Sequence, residues 1–193
     1  MRVTQAARQR TQETLVRAAL RLFAAQGFTA TTVDQITAEA GVAKGTLYNY
    51  FPTKEDLALA GLAVALEGLH GRVGELFALP HLGDRLGVLF AELGQVAGGQ
   101  PELIWIWAIE NARRGRSETA SAQLGDILAA LCADAQRRGE MRADVPPAVL
   151  AGQMQGLVLA EIARWYHAGA DDDLLPRLGA VVALYLEGAA ARP

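Results

Sequence analysis

The chain has 193 residues, 51% of them hydrophobic and 20% charged, which allows one large core or two smaller ones and excludes extensive disorder. Cys132 is the only cysteine, so an intramolecular disulfide and a multi-cysteine metal site are excluded, and the longest apolar run, Leu57 to Leu66, falls far short of the roughly 20 residues a membrane-spanning helix needs. The net charge of −3 hides an uneven split: residues 1–54 carry seven Lys/Arg against three acids and the remainder 11 against 18, a basic head on an acidic body that fits contact with a polyanion at one end.

Helical periodicity runs through the whole chain, and alternating strand patterns are nearly absent. A first helix is predicted from about Gln5 to Gln26, burying Val16, Ala19, Leu20 and Phe23, and Gly27 ends it. Thr32, with Gln35 three residues on, forms a capping box for a second helix that buries Val33, Ile36 and Ala40 and stops at Gly41. This helix is too short to stand alone. A third is predicted over about Ala43 to Tyr50, with Leu47 and Phe51 turned to the core. Thr53 and Asp56 then cap a long helix running to Leu79, where Pro80 breaks it. Five further helices follow at about Asp84 to Ala97, Pro101 to Arg114, Ser117 to Arg138, Pro147 to Ala168 and Asp171 to Ala190, separated by glycine and proline.

A short helix, a glycine and a second short helix make the helix-turn-helix pattern, in which one helix can enter the major groove, about 12 Å wide. With Leu47 and Phe51 inward, the third helix turns Lys44, Gly45, Thr46, Tyr48, Asn49 and Tyr50 outward. Hydroxyls, an amide and one leading cation suit phosphates and base edges better than they suit water. Structural readings stand beside these: Tyr48 and Tyr50 as half-buried core aromatics, Lys54 as a solvated lysine near its neighbouring acids, and Thr32 as a cap alone.

The segment AEAGVAKGTLYNYFPTKEDL, Ala38 through Leu57, resembles the signature of the TetR family of bacterial transcriptional regulators, and LRLFAAQGFTATTVDQIT, Leu20 through Thr37, is similar to the family's first two helices. The likeness covers roughly the first 60 residues; the rest resembles the family in architecture alone. The resemblance implies a homodimer reading a palindromic operator, and a C-terminal bundle whose small-molecule effector changes the spacing of the two reading helices. It places Thr46, Tyr48, Asn49 and Tyr50 on DNA, with Lys44 and Gly45 at the helix edge. It also implies that Lys54 meets the phosphate backbone and that Thr31 and Thr32 offer a hydroxyl and free N–H groups at the start of the second helix. Asn49 stands where many relatives carry histidine, so a base preference does not transfer.

In the eighth predicted helix Gly152, Gly156 and Ala160 form a small-residue ridge beside Val149, Gln153, Leu157 and Arg164; the ninth presents Leu174, Leu178, Val181, Val182 and Tyr185. These stripes are expected at a four-helix dimer interface; the other reading is that they close the monomer's own core. Trp105, Trp107, Glu110 and Asn111 on the sixth helix, with Trp165 and Tyr166 ending the eighth, are candidates for lining an effector pocket, for which a lipophilic or aromatic molecule is expected. His70, His81 and His167 lack metal-ligand spacing, and Cys132 sits on an Ala/Leu-rich stretch where it packs as a small hydrophobe.

The expectation is an all-α chain of about nine helices, with a helix-turn-helix DNA-binding domain over residues 1–52 and a ligand-binding and dimerisation domain over residues 53–193. Its expected function is that of a cytoplasmic repressor, released from operator DNA by its effector, with no cofactor, no metal and no membrane partner. The helix from Thr53 to Leu79 is the expected lever joining head to body. No paired carboxylates, nucleophile with base, phosphate loop or metal cluster suggests an enzyme. The alternative is a helical protein-interaction module without DNA binding.

Overall fold

The computed structural model describes residues 5–65, 74–114 and 120–189, with side chains throughout except at 65, 111–114, 120–123 and 189. Ten helices and no strand occur among the described residues: α1 (Gln5–Gln26), α2 (Val33–Ala40), α3 (Lys44–Tyr50), α4 (Lys54–Ala65), α5 (described over 74–78), α6 (Leu82–Gly99), α7 (Pro101–Arg114), α8 (Ala120–Arg137), α9 (Pro147–His167) and α10 (Leu174–Ala189). Contacts divide the chain into two compact units, residues 1–65 and 66–193. No described helix is long and apolar enough to cross a membrane.

The first unit grows from local capping. Thr53 opens α4 with a box of its own: the backbone N–H and hydroxyl of Thr53 donate to Asp56 Oδ2 at 3.0 and 2.8 Å, and the Asp56 N–H returns to Thr53 Oγ1 at 3.0 Å. Leu15, Val16, Ala18, Ala19 and Phe23 of α1 then meet Ile36, Leu47, Phe51, Leu57 and Leu62 in one core, all buried. Leu20, expected inside, is half-buried. It lies against Gly61, where a Cβ would come within 2.8 Å of Leu20 Cδ2, so glycine lets α1 and α4 approach. On α2 Ile36 is buried as expected, but Val33 and Ala40 are half-buried and Thr37 takes a buried place, its hydroxyl donating to the Asp34 carbonyl at 3.1 Å. Because α4 packs on α1, the compact head runs past Pro52. The lever expected from Thr53 to Leu79 is described at 54–65 and 74–78; the stretch between lies outside the described residues.

The second unit is a bundle of longer helices. Leu86, Leu89 and Phe90 of α6, Leu103, Ile104 and Trp107 of α7, Leu128, Leu131 and Cys132 of α8, Met154, Val158 and Ile162 of α9, and Leu178 of α10 are buried. Burial pushes the Cys132 thiol up to about 11, which leaves it a packing group with negligible thiolate. The expected start of α8 at Ser117 lies outside the described residues. The turn after α8 is held by Gln136, whose Nε2 donates to the carbonyls of Arg142 and Val145 at 2.8 and 2.7 Å.

Candidate nucleic-acid interface

Eight residues of α2 are fixed at both ends. Thr32, extended at φ −100°, accepts from the Gln35 N–H at 3.2 Å, and Gln35 Oε1 accepts from the Thr32 N–H at 2.8 Å. Gln26 Nε2 adds a bond to the same Gln35 oxygen at 3.0 Å, tying the end of α1 to the start of α2. At the other end Gly41 turns left-handed, φ 66° and ψ 32°, and its N–H reaches the Ala38 carbonyl at 3.2 Å. This corner aims α3.

Leu47, with no exposure, and Phe51 anchor α3 from below. Lys44, Gly45, Tyr48 and Asn49 are exposed, Tyr48 at 45%, while Thr46 and Tyr50 are half-buried. The Arg8 guanidinium lies 5.7 Å from the Tyr50 ring centroid, which brings the first turn of α1 to the end of α3, a neighbour that periodicity could not reveal. Lys44 pairs with Asp34 at 2.8 Å, and this exposed contact raises its ammonium above the ordinary lysine value. Arg21 pairs with Glu39, also at 2.8 Å.

Two expected DNA contacts sit differently. Thr31 is 1% exposed, and its hydroxyl is engaged inside, donating to the Gly27 carbonyl at 2.7 Å and accepting from Gln26 Nε2 at 3.2 Å. Lys54 is half-buried, with Nζ donating to the carbonyls of Phe28 and Thr31 at 2.7 and 2.8 Å and lying 4.0 Å from the Phe28 ring centroid. Thr32 remains exposed at the entry of α2.

In the second unit, the outer faces of α9 and α10 leave a groove of about 570 Å³ whose walls include Gln153, Leu157, Ala160, Arg164, Val181 and Tyr185. Val149 and Leu157 are each 46% exposed and Leu184 is 73% exposed, so unpartnered apolar surface collects here. Gly156 is exposed on the same helix as Leu157. Leu178 and Val182 belong instead to the core of this unit, at 0% and 7% exposure. Tyr185 spans the two helices, its hydroxyl donating to the Leu150 carbonyl at 2.8 Å. Beneath the groove Glu161 is buried; burial raises its carboxyl, but hydrogen bonds from Arg164 and Arg177 outweigh this and hold it below the ordinary value.

The six residues expected around an effector separate into a core set and a surface set. Trp107, Trp165 and Glu110 are buried, whereas Trp105 and Tyr166 are half-buried and stack with centroids 5.2 Å apart. The Trp165 indole donates to the Asp172 carbonyl at 2.7 Å. The Trp107 indole N–H finds no acceptor among the described residues. The side chain of Asn111 lies outside the described residues.

A capped helix, a left-handed glycine corner and a second helix anchored by Leu47 define a helix-turn-helix protein, with a separate all-helical unit after the head. The family model for bacterial regulatory proteins of the tetR family matches residues 15–60. The chain is 30% identical over 183 residues to the HTH-type transcriptional regulator TcmR of Streptomyces glaucescens, covering 91% of this chain and 68% of TcmR. It is 43% identical over 49 residues to the uncharacterized HTH-type regulator YerO of Bacillus subtilis, a match covering 25% of this chain and only 17% of YerO. The crystal structure of Thermus thermophilus FadR, a TetR-family transcriptional repressor in complex with lauroyl-CoA, superposes with a TM-score of 0.79 at 28% identity, covering 94% of this chain and 96% of FadR. The chain belongs to the TetR family of transcriptional regulators.

Proposed function

We propose that this regulator is a cytoplasmic repressor that acts by binding alone, reading a palindromic operator as a homodimer and leaving it when a small molecule occupies the second unit. The observation that carries the reading is α3 itself, a short helix pinned by fully buried Leu47 that holds exposed Tyr48 and Asn49 outward. Lys44, Gly45, Thr46 and Tyr50 complete its DNA-facing surface, and exposed Thr32, whose hydroxyl donates to Gln35 Oε1 at 3.2 Å, marks the entry of α2, where the first N–H groups of the helix can meet a phosphate. The partner subunit covers the α9–α10 groove, where Val149, Leu157 and Leu184 stand in solvent in the single chain. The effector is lipophilic or aromatic. Support comes from the aromatic character of α7 and the end of α9, from the unanswered donor of Trp107, and from the lauroyl-CoA held by the similar FadR. The second unit's occupancy shifts a population between dimer states of different operator affinity.

The test is fluorescence anisotropy with a labelled duplex carrying the segment immediately upstream of the coding sequence, titrated at several salt concentrations. Steeply salt-dependent binding is expected. Binding that is absent or insensitive to salt would instead favour a helical protein-interaction module.

A further inference from the structure

Lys54 stands at the first position of α4, where its ammonium would have to reach into solvent to meet a phosphate. Instead its head turns back onto the first unit, which takes two of its hydrogen bonds. An ammonium carries three N–H bonds. Two point at the carbonyl oxygens of Phe28 and Thr31, at 2.7 and 2.8 Å, and the charge lies 4.0 Å from the centre of the Phe28 ring. Those two carbonyls belong to the turn between α1 and α2, closed by the Thr31 N–H on the Phe28 carbonyl at 3.2 Å. The same turn is held from within by the Thr31 hydroxyl on the Gly27 carbonyl and by Gln26, whose amide reaches both Thr31 Oγ1 and Gln35 Oε1. Gln35 in turn caps Thr32. A continuous set of bonds therefore runs from the Lys54 ammonium through the 28–31 turn to the first turn of α2, a helix too short to hold itself.

We infer that Lys54 is a positioning residue: it fixes the entry of α2, and with it the reading head, and does not itself ligate DNA phosphate. The inference rests on the DNA-reading role given to the first unit. Lys54→Met keeps the length of the stem and removes all three donors. In the full-length protein, at a temperature where circular dichroism gives the parent helix content, this variant binds the labelled upstream duplex roughly tenfold more weakly, the loss expected for charge-assisted hydrogen bonds removed from the turn. The slope of log affinity against log salt equals that of the parent. A slope shallower by about one unit per protomer, the mark of a lost phosphate contact, would overturn the inference. So would unchanged affinity.

Because the effect is routed through the α2 cap, the affinity losses of Lys54→Met and Thr32→Ala are expected to be less than additive in a double-mutant cycle, whereas strict additivity counts against the route. Should Lys54→Met fail to fold, Phe28→Leu retains the lysine charge while removing the ring beneath it; weaker binding at the parental slope supports the inference, and parental affinity refutes it. A parent protein that binds no duplex at any salt overturns the DNA-reading proposal itself, a result distinct from either slope.

Discussion

The guanidinium of Arg85, fully shielded from solvent, donates to the carboxylate of Asp134 at 2.6 Å, joining the start of α6 to the end of α8. Its remaining donors close on backbone: Nε and Nη2 reach the Leu79 carbonyl at 2.9 and 2.7 Å, and Nη2 also meets Phe77 at 3.3 Å. A charge in an apolar bundle is tolerated only when it is well hydrogen-bonded, and here the planar fork makes one bond to a carboxylate and three to backbone carbonyls. Arg138, just past the end of α8, extends the arrangement by donating to the Pro80 carbonyl, while Glu140 accepts the Leu82 N–H at 2.7 Å.

Arg85→Met leaves two inward carbonyls and a carboxylate without this partner. The expected cost is about 3 kcal/mol of unfolding free energy, read from urea denaturation of the full chain. Arg85→Lys is expected to recover little of it, since a single ammonium cannot span the Asp134 and Leu79 sides together. A loss below the error of the extrapolation would show that this fork is dispensable.

Asp134 supplies a pH dependence. The hydrogen bond from Arg85 holds its carboxyl below the ordinary aspartate value, with Arg137 and Arg138 adding to the effect. A group whose folded value is depressed contributes stability above its unfolded value and loses it as pH falls through the folded one. The difference in melting temperature between the parent and Asp134→Asn is therefore expected to be constant near neutral pH and to shrink below about pH 4. A difference that does not change with pH would remove the carboxylate from the account.

The α9–α10 surface makes a prediction about assembly. Leu184 is 73% exposed beside the groove that Leu157 and Val181 line. Leu184→Glu is expected to convert the parent dimer to a monomer at micromolar concentration in sedimentation velocity while far-ultraviolet dichroism stays unchanged. A variant that remains dimeric would place the self-association surface elsewhere.

Asn49 is exposed on α3, and its amide can both donate and accept. Once an operator is in hand, Asn49→Ala is expected to reduce discrimination at one base pair by about 1–3 kcal/mol while leaving the salt slope unchanged. Equal losses on every sequence would assign Asn49 to the backbone.

The head was legible because its signals are local. Thr32 with Gln35, Gly41, and Thr53 with Asp56 each fix a helix end within a few residues, and α1 to α3 fall where those signals put them. Contacts that close over longer spans left no such trace. Lys54 meets carbonyls 23 and 26 residues back, so the pattern offered solvent and the family resemblance phosphate, and neither pointed to the turn it holds. The resemblance gave Thr31 and Thr32 the same phosphate contact, yet Thr31 is buried with its hydroxyl on the Gly27 carbonyl while Thr32 is exposed at the cap. On α10 a broad apolar stripe was readable, but periodicity cannot divide it into the part that its own bundle covers, Leu178 and Val182, and the part left open, such as Leu184. Three consecutive aspartates each resemble a cap; Asp173 is the one that accepts the Leu175 N–H, and α10 begins at Leu174, later than Asp171 suggested. Arg85 was invisible, since nothing in an amphipathic pattern marks a cation whose partner lies 49 residues away.

At Gly41 an added Cβ would meet nothing within 4 Å, so at that atom the corner before α3 is constrained by backbone dihedrals and not by room. Single-base changes in a glycine codon lead to alanine, valine, serine, cysteine, arginine, tryptophan, aspartate or glutamate, and of these only aspartate visits the left-handed region with any ease. Asparagine, a better substitute, lies two base changes away. Spontaneous loss-of-regulation mutants should therefore gather at this codon even though the residue is exposed and lies outside the core.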